Sequence, residues 1–302
     1  SGPLPQRLDQ TGLHPANASV MPFSPQYPLW SDGATKRRWI ALPAGTAIEA
    51  SRPAAWQFPR GTKLWKEFAI EGRRVETRFI ERLADGEWRY ATYVWNDAGT
   101  EAMLASAQGI AALPLANGRT YAIPSQADCR ACHEGAPTPV LGFSALQLSA
   151  DRDPLAPHAE ARRADEPDLR TLVAGGLLRG LPQRLLEAPP RIAAPTPTAR
   201  AALGYLHGNC GHCHGDPATA DAAVPVGLTL TVDVSDPAAG AKALRALVEG
   251  SSRFRSFQRR GARHVVPGDP GASVLVERMR SRDPRVQMPP LGTSLPDAAA
   301  LA

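Results

Sequence analysis

The sequence is poor in several residue types, and each shortage narrows the class of protein. It has four cysteines and four methionines in 302 residues, and aromatic residues make up 6% of the chain. No apolar run approaches the roughly 20 residues of a membrane span, so an integral membrane segment is not expected. Hydrophobic residues are 43% and charged residues 21%, which is an ordinary globular balance. The length favours two domains over one.

All four cysteines fall in two copies of one pattern. Cys129-Arg130-Ala131-Cys132-His133 and Cys210-Gly211-His212-Cys213-His214 both read Cys-x-x-Cys-His, the spacing that covalent haem attachment needs. In a helical turn the two thiols share a face, so they can add to the two vinyl groups on one porphyrin edge. A zinc half-site or a redox dithiol does not explain why a histidine follows the second cysteine both times. The sequence therefore predicts two covalently bound haem c groups, attached at Cys129, Cys132, Cys210 and Cys213, with His133 and His214 as iron ligands.

Met288 is predicted to be the sixth ligand of the second haem. A thioether is a soft donor that favours ferrous iron, and Pro289 holds the preceding methionine in an extended loop. Met279 is the nearest rival, but it lies in a helical pattern that is typical of a core position. For the first haem, His14 and His158 stay open as sixth ligands. The other histidines near the second motif are expected to be surface, neighbouring or structural residues: His207, His212 and His264.

Haem is attached to this motif outside the cytoplasm, so the motif indicates in which compartment the protein is expected. No signal peptide is visible, and the chain begins Ser1-Gly2-Pro3, as a processed terminus would. We therefore expect a periplasmic protein whose export signal has been removed.

Hydrophobic periodicity predicts a β-rich part followed by a mainly helical part. Residues 63–70 and 88–95 alternate as strands do, with turn signals at Gly72 and Asp85-Gly86. Helices are predicted over 169–178, ending at Gly180, then from Ala199 with Thr198 as N-cap, and over 239–249 and 273–280; residues 226–234 are expected to be extended. Prolines between 189 and 197 indicate a stiff linker. The expected fold class is α+β: an antiparallel β-sandwich-like domain at 1–195 carries the first motif, and a cytochrome c-like, mainly α domain at 196–302 carries the second.

Lys66 interrupts the apolar face of the strand at 63–70. Alternation places it beside Leu64 and Phe68, where a buried ammonium needs a partner. We expect that partner to be Glu76 on the next strand. A haem propionate, or ligation of the iron itself, are the alternatives.

Further short stretches follow the pattern of a known family. They are Tyr-Pro-Leu-Trp-Ser-Asp-Gly-Ala (27–34), Gly-Thr-Lys-Leu-Trp-Lys-Glu-Phe (61–68), Val-Glu-Thr-Arg (75–78), Tyr-Val-Trp-Asn (93–96), Ile-Pro-Ser (123–125), Leu-Gly-Phe (141–143) and Gln-Leu (147–148). Over nearly its full length the chain resembles periplasmic dihaem c-type cytochromes of proteobacteria, and residues 196–302 resemble a class I cytochrome c domain. The resemblance implies haem binding and electron transfer, but no particular substrate. It also implies that Ala202, a small residue, lies before Leu206 and Cys210 on one helix face, where a last helix beginning near Pro296 crosses closely.

The leading hypothesis is a dihaem protein that transfers electrons between redox partners, with no catalytic residue assigned. The alternatives are a dihaem enzyme of the peroxidase or oxygen-handling kind with an open site on the first haem, a haem-based sensor, and an electron-accepting subunit of a dehydrogenase. The net charge is +5, but lysines and arginines are scattered, so a nucleic-acid partner is not expected. The one dense run, at residues 253–263, holds five arginines. It is either a solvated loop or a docking patch for an acidic redox partner protein.

Overall fold

The chain divides into two units, each assembled from separated parts of the sequence. The computed structural model describes residues 2–14, 17–115, 117–215, 228–254 and 262–302. The first unit comprises Ser1–Ser24, Gly33–Ala131 and Ala161–Ala188, and the second comprises Pro25–Asp32, Cys132–Glu160 and Pro189–Ala302. An antiparallel sheet together with several helices confirms the predicted α+β class. The domain division at residue 195 stays a prediction.

Ten strands are described, all in the first unit. They are β1 Val20–Pro22, β2 Thr35–Ala41, β3 Ile48–Glu49, β4 Lys63–Ile70, β5 Arg73–Arg82, β6 Trp88–Trp95, β7 Ala102–Leu104, β8 Ile110–Pro114, β9 Thr120–Ile123 and β10 Leu178–Arg179. Six of them form an antiparallel sheet in the order β1-β2-β4-β5-β6-β7. β8 pairs with β9, and the short β10 pairs in parallel with β3.

The central hairpins form where the turn residues predict them. β4 ends at Ile70 as expected, and Glu71 and Gly72 both have positive φ, 52° and 79°. Two consecutive left-handed residues make the turn whose twist matches that of paired strands. The β5–β6 turn closes with a hydrogen bond from the Leu83 amide to the Glu87 carbonyl, 2.8 Å long, around Asp85-Gly86.

Both faces of the large sheet are covered. Trp65 and Phe79 pack with Leu8 of the amino-terminal segment on one face. On the other face, Phe68 packs with Tyr121 of β9 and its neighbours. The β8–β9 hairpin therefore acts as a second layer, and it leads directly into the first cysteine motif.

The described helices are α1 Gln126–His133, α2 Leu169–Ala174, α3 Arg184–Glu187, α4 Pro197–Asn209, α5 Ala239–Glu249, α6 Val274–Arg280 and α7 Ala298–Leu301. The bounds of α5 are as predicted, and α6 begins one residue after the predicted start. The helix predicted over 169–178 is shorter, because Gly175 caps it and Gly176 takes a positive φ of 69°. Leu178 and Arg179 then join the β10–β3 sheet, so Gly180 does not end a helix.

In the second unit, α4 begins earlier than predicted. The Thr196 hydroxyl, rather than that of Thr198, accepts a hydrogen bond from the Ala199 amide at 3.1 Å. Pro197 occupies the first helical position, where its missing N–H costs nothing. The N-cap prediction was wrong because the Thr196-Pro197 pair satisfies the helix start two residues upstream.

The segment that packs closely against α4 is also not the expected one. Ala202 is exposed, whereas Gly204 is buried. A Cβ on Gly204 would lie 1.9 Å from Cε1 of Tyr27, and one on Gly208 would lie 2.5 Å from the Tyr27 carbonyl oxygen. The small residues of α4 therefore pack against the segment that contains Tyr27.

The core of the second unit gathers residues from all its segments. Leu203 and Leu206 of α4 pack with Ala243 and Leu247 of α5, and with Leu230 of the connecting segment. Residues 228–234 form no strand, and 226–227 of the predicted extended segment lie outside the described residues.

Candidate functional site

The first motif lies on α1, just after β9. The Asp128 carboxylate accepts hydrogen bonds from the amide and hydroxyl of Ser125, and the Ser125 hydroxyl accepts one from the Asp128 amide. This reciprocal pair of bonds caps the helix start, much as a capping box does. Helical geometry then places Cys129 and Cys132 on one face, as the spacing predicts.

His133 is held by one ring nitrogen. Its Nδ1 lies 2.6 Å from the carbonyl oxygen of Pro139. A carbonyl oxygen can only accept, so Nδ1 carries the proton and Nε2 keeps its lone pair. Metal-ligating histidines are oriented in this way by a carbonyl or carboxylate on the other nitrogen. The arrangement fits an iron ligand.

The second motif continues the end of α4 as a helical turn. The amides of Cys213 and His214 both donate to the Cys210 carbonyl, at 3.1 and 2.8 Å. Gly211 fits because a Cβ there would lie 2.7 Å from the His207 carbonyl oxygen. Cys210 and Cys213 are thus set one turn apart, as attachment to one porphyrin edge requires.

His214 has a different environment from that of His133. Its Nδ1 is buried and has no hydrogen-bond partner among the described residues. Burial lowers its pKa, the charge of Cys213 opposes that shift, and the charges of Arg278 and the neighbouring histidines add to it, so the neutral ring is favoured. A neutral imidazole is the form that binds a metal.

The thiols of the second motif differ from each other in acidity. Burial raises the pKa of Cys210. Hydrogen bonds from Cys132 and His212 lower that of Cys213. Cys213 is therefore the more acidic of the two thiols. Its hydrogen-bond partner Cys132 belongs to the first motif.

Met288 lies in a loop tied to α6. Its amide donates to the Arg278 carbonyl at 3.0 Å, and the Arg278 Nε donates to the Val286 carbonyl at 2.8 Å. Arg278 also acts electrostatically on His214. The half-buried Met288 and His214 are therefore linked through one arginine. Met279 packs against the core of the second unit, as its helical pattern predicts.

The remaining histidines make hydrogen bonds and ring contacts that were not predicted. The Nε2 of His158 lies 2.8 Å from Oδ1 of Asp297, and its ring stacks on Trp30 with centroids 4.8 Å apart. That nitrogen is bonded to Asp297, so His158 could bind an iron only through Nδ1. His212 is buried rather than at the surface, and the half-buried His207 accepts a hydrogen bond from the Val232 amide at 3.1 Å. His14 is exposed, and the amide of Leu275 donates to the carbonyl of His264 at 3.0 Å.

Sequence reasoning missed a charged cluster beside Cys129 in the first unit. Arg78 donates to Glu76 through Nε at 3.1 Å and through Nη2 at 2.6 Å, and the Tyr121 hydroxyl donates to the same carboxylate at 2.7 Å. The guanidinium also lies over the Phe68 ring, 4.3 Å from its centroid. Burial disfavours the Arg78 cation, but Glu76 outweighs it and raises the arginine pKa. The sequence could have indicated this pair, because Glu76 and Arg78 are two residues apart in β5 and therefore lie on the same face of the strand.

The expected Lys66–Glu76 pair stays a prediction. The carboxylate of Glu76, which has no exposed surface, bonds Arg78 and Tyr121. In the strand register Glu76 lies opposite Phe68, and Lys66 lies opposite Arg78. The half-buried Lys66 ammonium lies 5.0 Å from the centroid of the Phe68 ring, a cation–π contact.

Three further observations concern metal-binding groups, the arginine-rich run and membrane spans. Among the described residues, no three histidines, cysteines or acidic residues lie together as a metal-binding group. Most of the arginine-rich run, residues 255–261, lies outside the described residues, so the docking-patch expectation is not addressed. In the part of the chain that is described, no helix is both long and apolar enough to cross a membrane.

Comparison with known proteins identifies one part of the chain. Residues 242–292 match the family model described as Planctomycete cytochrome C. This stretch of the chain is similar to a c-type cytochrome domain. The similarity indicates covalently bound haem and a cytochrome c-like role in electron transfer. It spans most of α5, all of α6 and the Met288 loop, but neither cysteine motif. No curated protein and no solved structure matches the chain.

Proposed function

We propose that the protein is a periplasmic dihaem c-type cytochrome that passes electrons between redox partners. The observation that carries the proposal is the hydrogen bond from His133 Nδ1 to the Pro139 carbonyl, 2.6 Å long. It sets the imidazole tautomer with the proton on Nδ1, beside two cysteines on one helical face. Such an orientation is expected for an iron ligand and has no obvious use in a redox dithiol.

In each motif the two cysteines and the histidine have different roles. Cys129 and Cys132 would hold the first haem with His133 as an iron ligand, and Cys210 and Cys213 would hold the second with His214. When bound, each haem supplies one iron that cycles between the ferric and ferrous states. The chain contributes the rest: thioether anchoring and, for each iron, a neutral imidazole.

Met288 would complete the second site. The bond from the Met288 amide to the Arg278 carbonyl holds the loop backbone, so only the Met288 side chain has to be ordered at the moment of binding. A thioether ligand raises the reduction potential, and two filled axial positions keep reorganisation small during electron transfer. These properties suit exchange with a partner protein.

A second candidate is a dihaem oxidoreductase with an open first haem. It is favoured by the buried Arg78–Glu76–Tyr121 cluster beside Cys129, which could stabilise charge on a bound small molecule.

The deciding experiment combines mass and ligand binding on protein made in a host with haem-attachment machinery. We expect the denatured mass to exceed that of the polypeptide by two haems, with no zinc. Recovery of bare or zinc-bound chain would overturn the proposal. If both haems resist carbon monoxide and cyanide, the protein is an electron carrier. Binding of either to the first haem, with turnover of peroxide, favours the oxidoreductase, and co-purification with a dehydrogenase favours the subunit.

A further inference from the structure

A row of three cations crosses one face of the large sheet in the first unit. In the strand register Arg38 of β2 lies opposite Lys66 of β4, and Lys66 lies opposite Arg78 of β5. Directly opposite residues share a face, with Cβ atoms about 5 Å apart. Arg38 is 4% exposed and Lys66 is half-buried. These three residues are called the cation row below.

The row sets like charges side by side where water screens them little. Lys66 and Arg78 both lie over the Phe68 ring, at 5.0 and 4.3 Å from its centroid, and Phe68 has no exposed surface. Like charges directly opposite each other destabilise a sheet, and partial burial strengthens their repulsion. Negative charge brought to the row therefore stabilises the sheet.

The strands themselves bring little negative charge to this face. Among the paired residues of β2, β4, β5 and β6 that share it, Glu76 is the one acid. Its carboxylate accepts hydrogen bonds from Nε and Nη2 of Arg78 and from the Tyr121 hydroxyl. The four strands therefore give this face a net positive charge.

The first cysteine motif lies on the same face of the sheet. The guanidinium of Arg130, the residue after Cys129, lies 5.8 Å from the centroid of the Tyr90 ring. Tyr90 shares a face of β6 with Thr92, and Thr92 lies opposite Arg78 of the cation row. The helix α1 therefore packs on the face that carries the row.

We propose that the cation row is a binding site for carboxylate groups, and that the propionates of the first haem occupy it. The second part rests on the proposed function, in which that haem is attached through Cys129 of α1. A haem carries two propionate carboxylates, and arginine and lysine form strong charge-assisted hydrogen bonds with carboxylates. Binding there ties the sheet to the cofactor and offsets the repulsion within the row.

Lys66→Met tests the proposal through the sign of its effect on stability, because methionine keeps the apolar stem and removes the charge. In the two-haem protein the urea midpoint should fall, since a carboxylate loses its partner. In Cys129→Ala/Cys132→Ala, which lacks the first haem, the same substitution should raise the midpoint, since it removes a repelling charge. Lys63→Met is the matched control. Lys63 lies on the other face of β4 and bonds the Thr11 carbonyl, so its effect should be equal in both backgrounds.

Added acetate distinguishes the two sources of a carboxylate. If acetate at constant ionic strength raises the midpoint of the single-haem protein, and Lys66→Met removes that rise, the row also takes a free carboxylate. An equal fall on Lys66→Met in both backgrounds, insensitive to acetate, would assign Lys66 to a partner within the protein such as Glu76 and overturn the proposal.

A second measurement covers the case in which the single-haem variant does not fold. In redox-induced infrared difference spectra of the two-haem protein, the propionate carboxylate bands should shift in Lys66→Met and Arg38→Met but not in Lys63→Met. Unshifted bands in both row variants would contradict the proposal. Failure of the proposed function is visible separately in the denatured mass. Fewer than two haems refutes that function, whereas two haems with unshifted bands refute only the carboxylate site.

Discussion

The Nδ1 atom of His133 lies 2.6 Å from the carbonyl oxygen of Pro139, six residues along the chain. This bond fixes the imidazole tautomer before any metal is present. His214 has no such bond to a described residue. The two proposed iron ligands are therefore oriented by different means, and the His133 ring is the more firmly fixed.

Replacing His133 with alanine should remove the ligand of one haem only. We expect either loss of one haem from the denatured mass or conversion of one haem to the high-spin state, because the cysteines alone do not supply an iron ligand. Absorption spectra and intact mass measure both outcomes. His158→Gln is the comparison variant, because Nδ1 of His158 is not engaged by its bond to Asp297. An unchanged spectrum excludes His158 as the sixth ligand of the first haem, and a change of spin state identifies it as that ligand.

Met288→Ala should abolish the sulfur-to-iron charge-transfer band and lower the potential of one of the two haems. The reason is that a thioether stabilises ferrous iron more than ferric iron. Met279→Leu serves as the matched variant and should keep the band, because Met279 packs in the core. Potentiometric titration followed in the near infrared decides between the two methionines.

Removing Arg78 should destabilise the first unit. Arg78→Leu leaves the carboxylate of Glu76 buried without its cation, a change that costs about 3–5 kcal/mol in comparable buried pairs. The double variant Arg78→Leu/Glu76→Leu should recover part of that loss. Urea unfolding measures both. The surface pair of Arg285 with Asp283 is the control, and Arg285→Leu should change the unfolding free energy by no more than about 1 kcal/mol. A single variant no weaker than this control would show that the buried pair contributes little.

His207 should make the protein less stable in mild acid. Burial, and then the neighbouring His212, lower its pKa from 6.5 to about 4. Between these values the unfolded chain binds a proton that the folded chain does not, so the unfolding free energy falls as pH drops through this window, by at most about 3 kcal/mol. Protonation of Nδ1 would also break the bond from the Val232 amide.

His207→Asn isolates this contribution. The Asn side-chain oxygen can accept from the Val232 amide and does not titrate. Its unfolding free energy should therefore vary less with pH between 6.5 and 4 than that of the native chain. Parallel pH profiles of the two proteins would mean that His207 titrates normally in the folded state.

Gly204→Ala should lower stability even though alanine favours helices. The gain in helix propensity is about 1 kcal/mol. The added Cβ would lie 1.9 Å from the Tyr27 ring, and displacing a packed aromatic side chain costs about 1–3 kcal/mol or more. Thermal unfolding gives the difference. Ala202→Ser, on the exposed side of the same helix, should change stability by less than about 0.5 kcal/mol. A Gly204→Ala protein as stable as this control would show that Tyr27 moves aside freely.

The local features of this fold were predictable from the order of the amino acids. The strand at 63–70, the helix at 239–249 and the hairpin turn at Asp85-Gly86 follow from periodicity and turn chemistry, which act between near neighbours. Both Cys-x-x-Cys-His motifs could be located in the same way, because attachment to one porphyrin edge depends on spacing within a single turn.

The contacts between distant residues depend on the packing of the whole fold. Arg78 and Tyr121 bind Glu76, and this grouping depends on the strand register of the whole sheet and on the hairpin that covers it. Tyr27 rather than a last helix fills the small positions of α4, and Cys132 contacts Cys213. These contacts join residues far apart in the chain, where no local periodicity records the partner. Their geometry is fixed only when the surrounding core has packed.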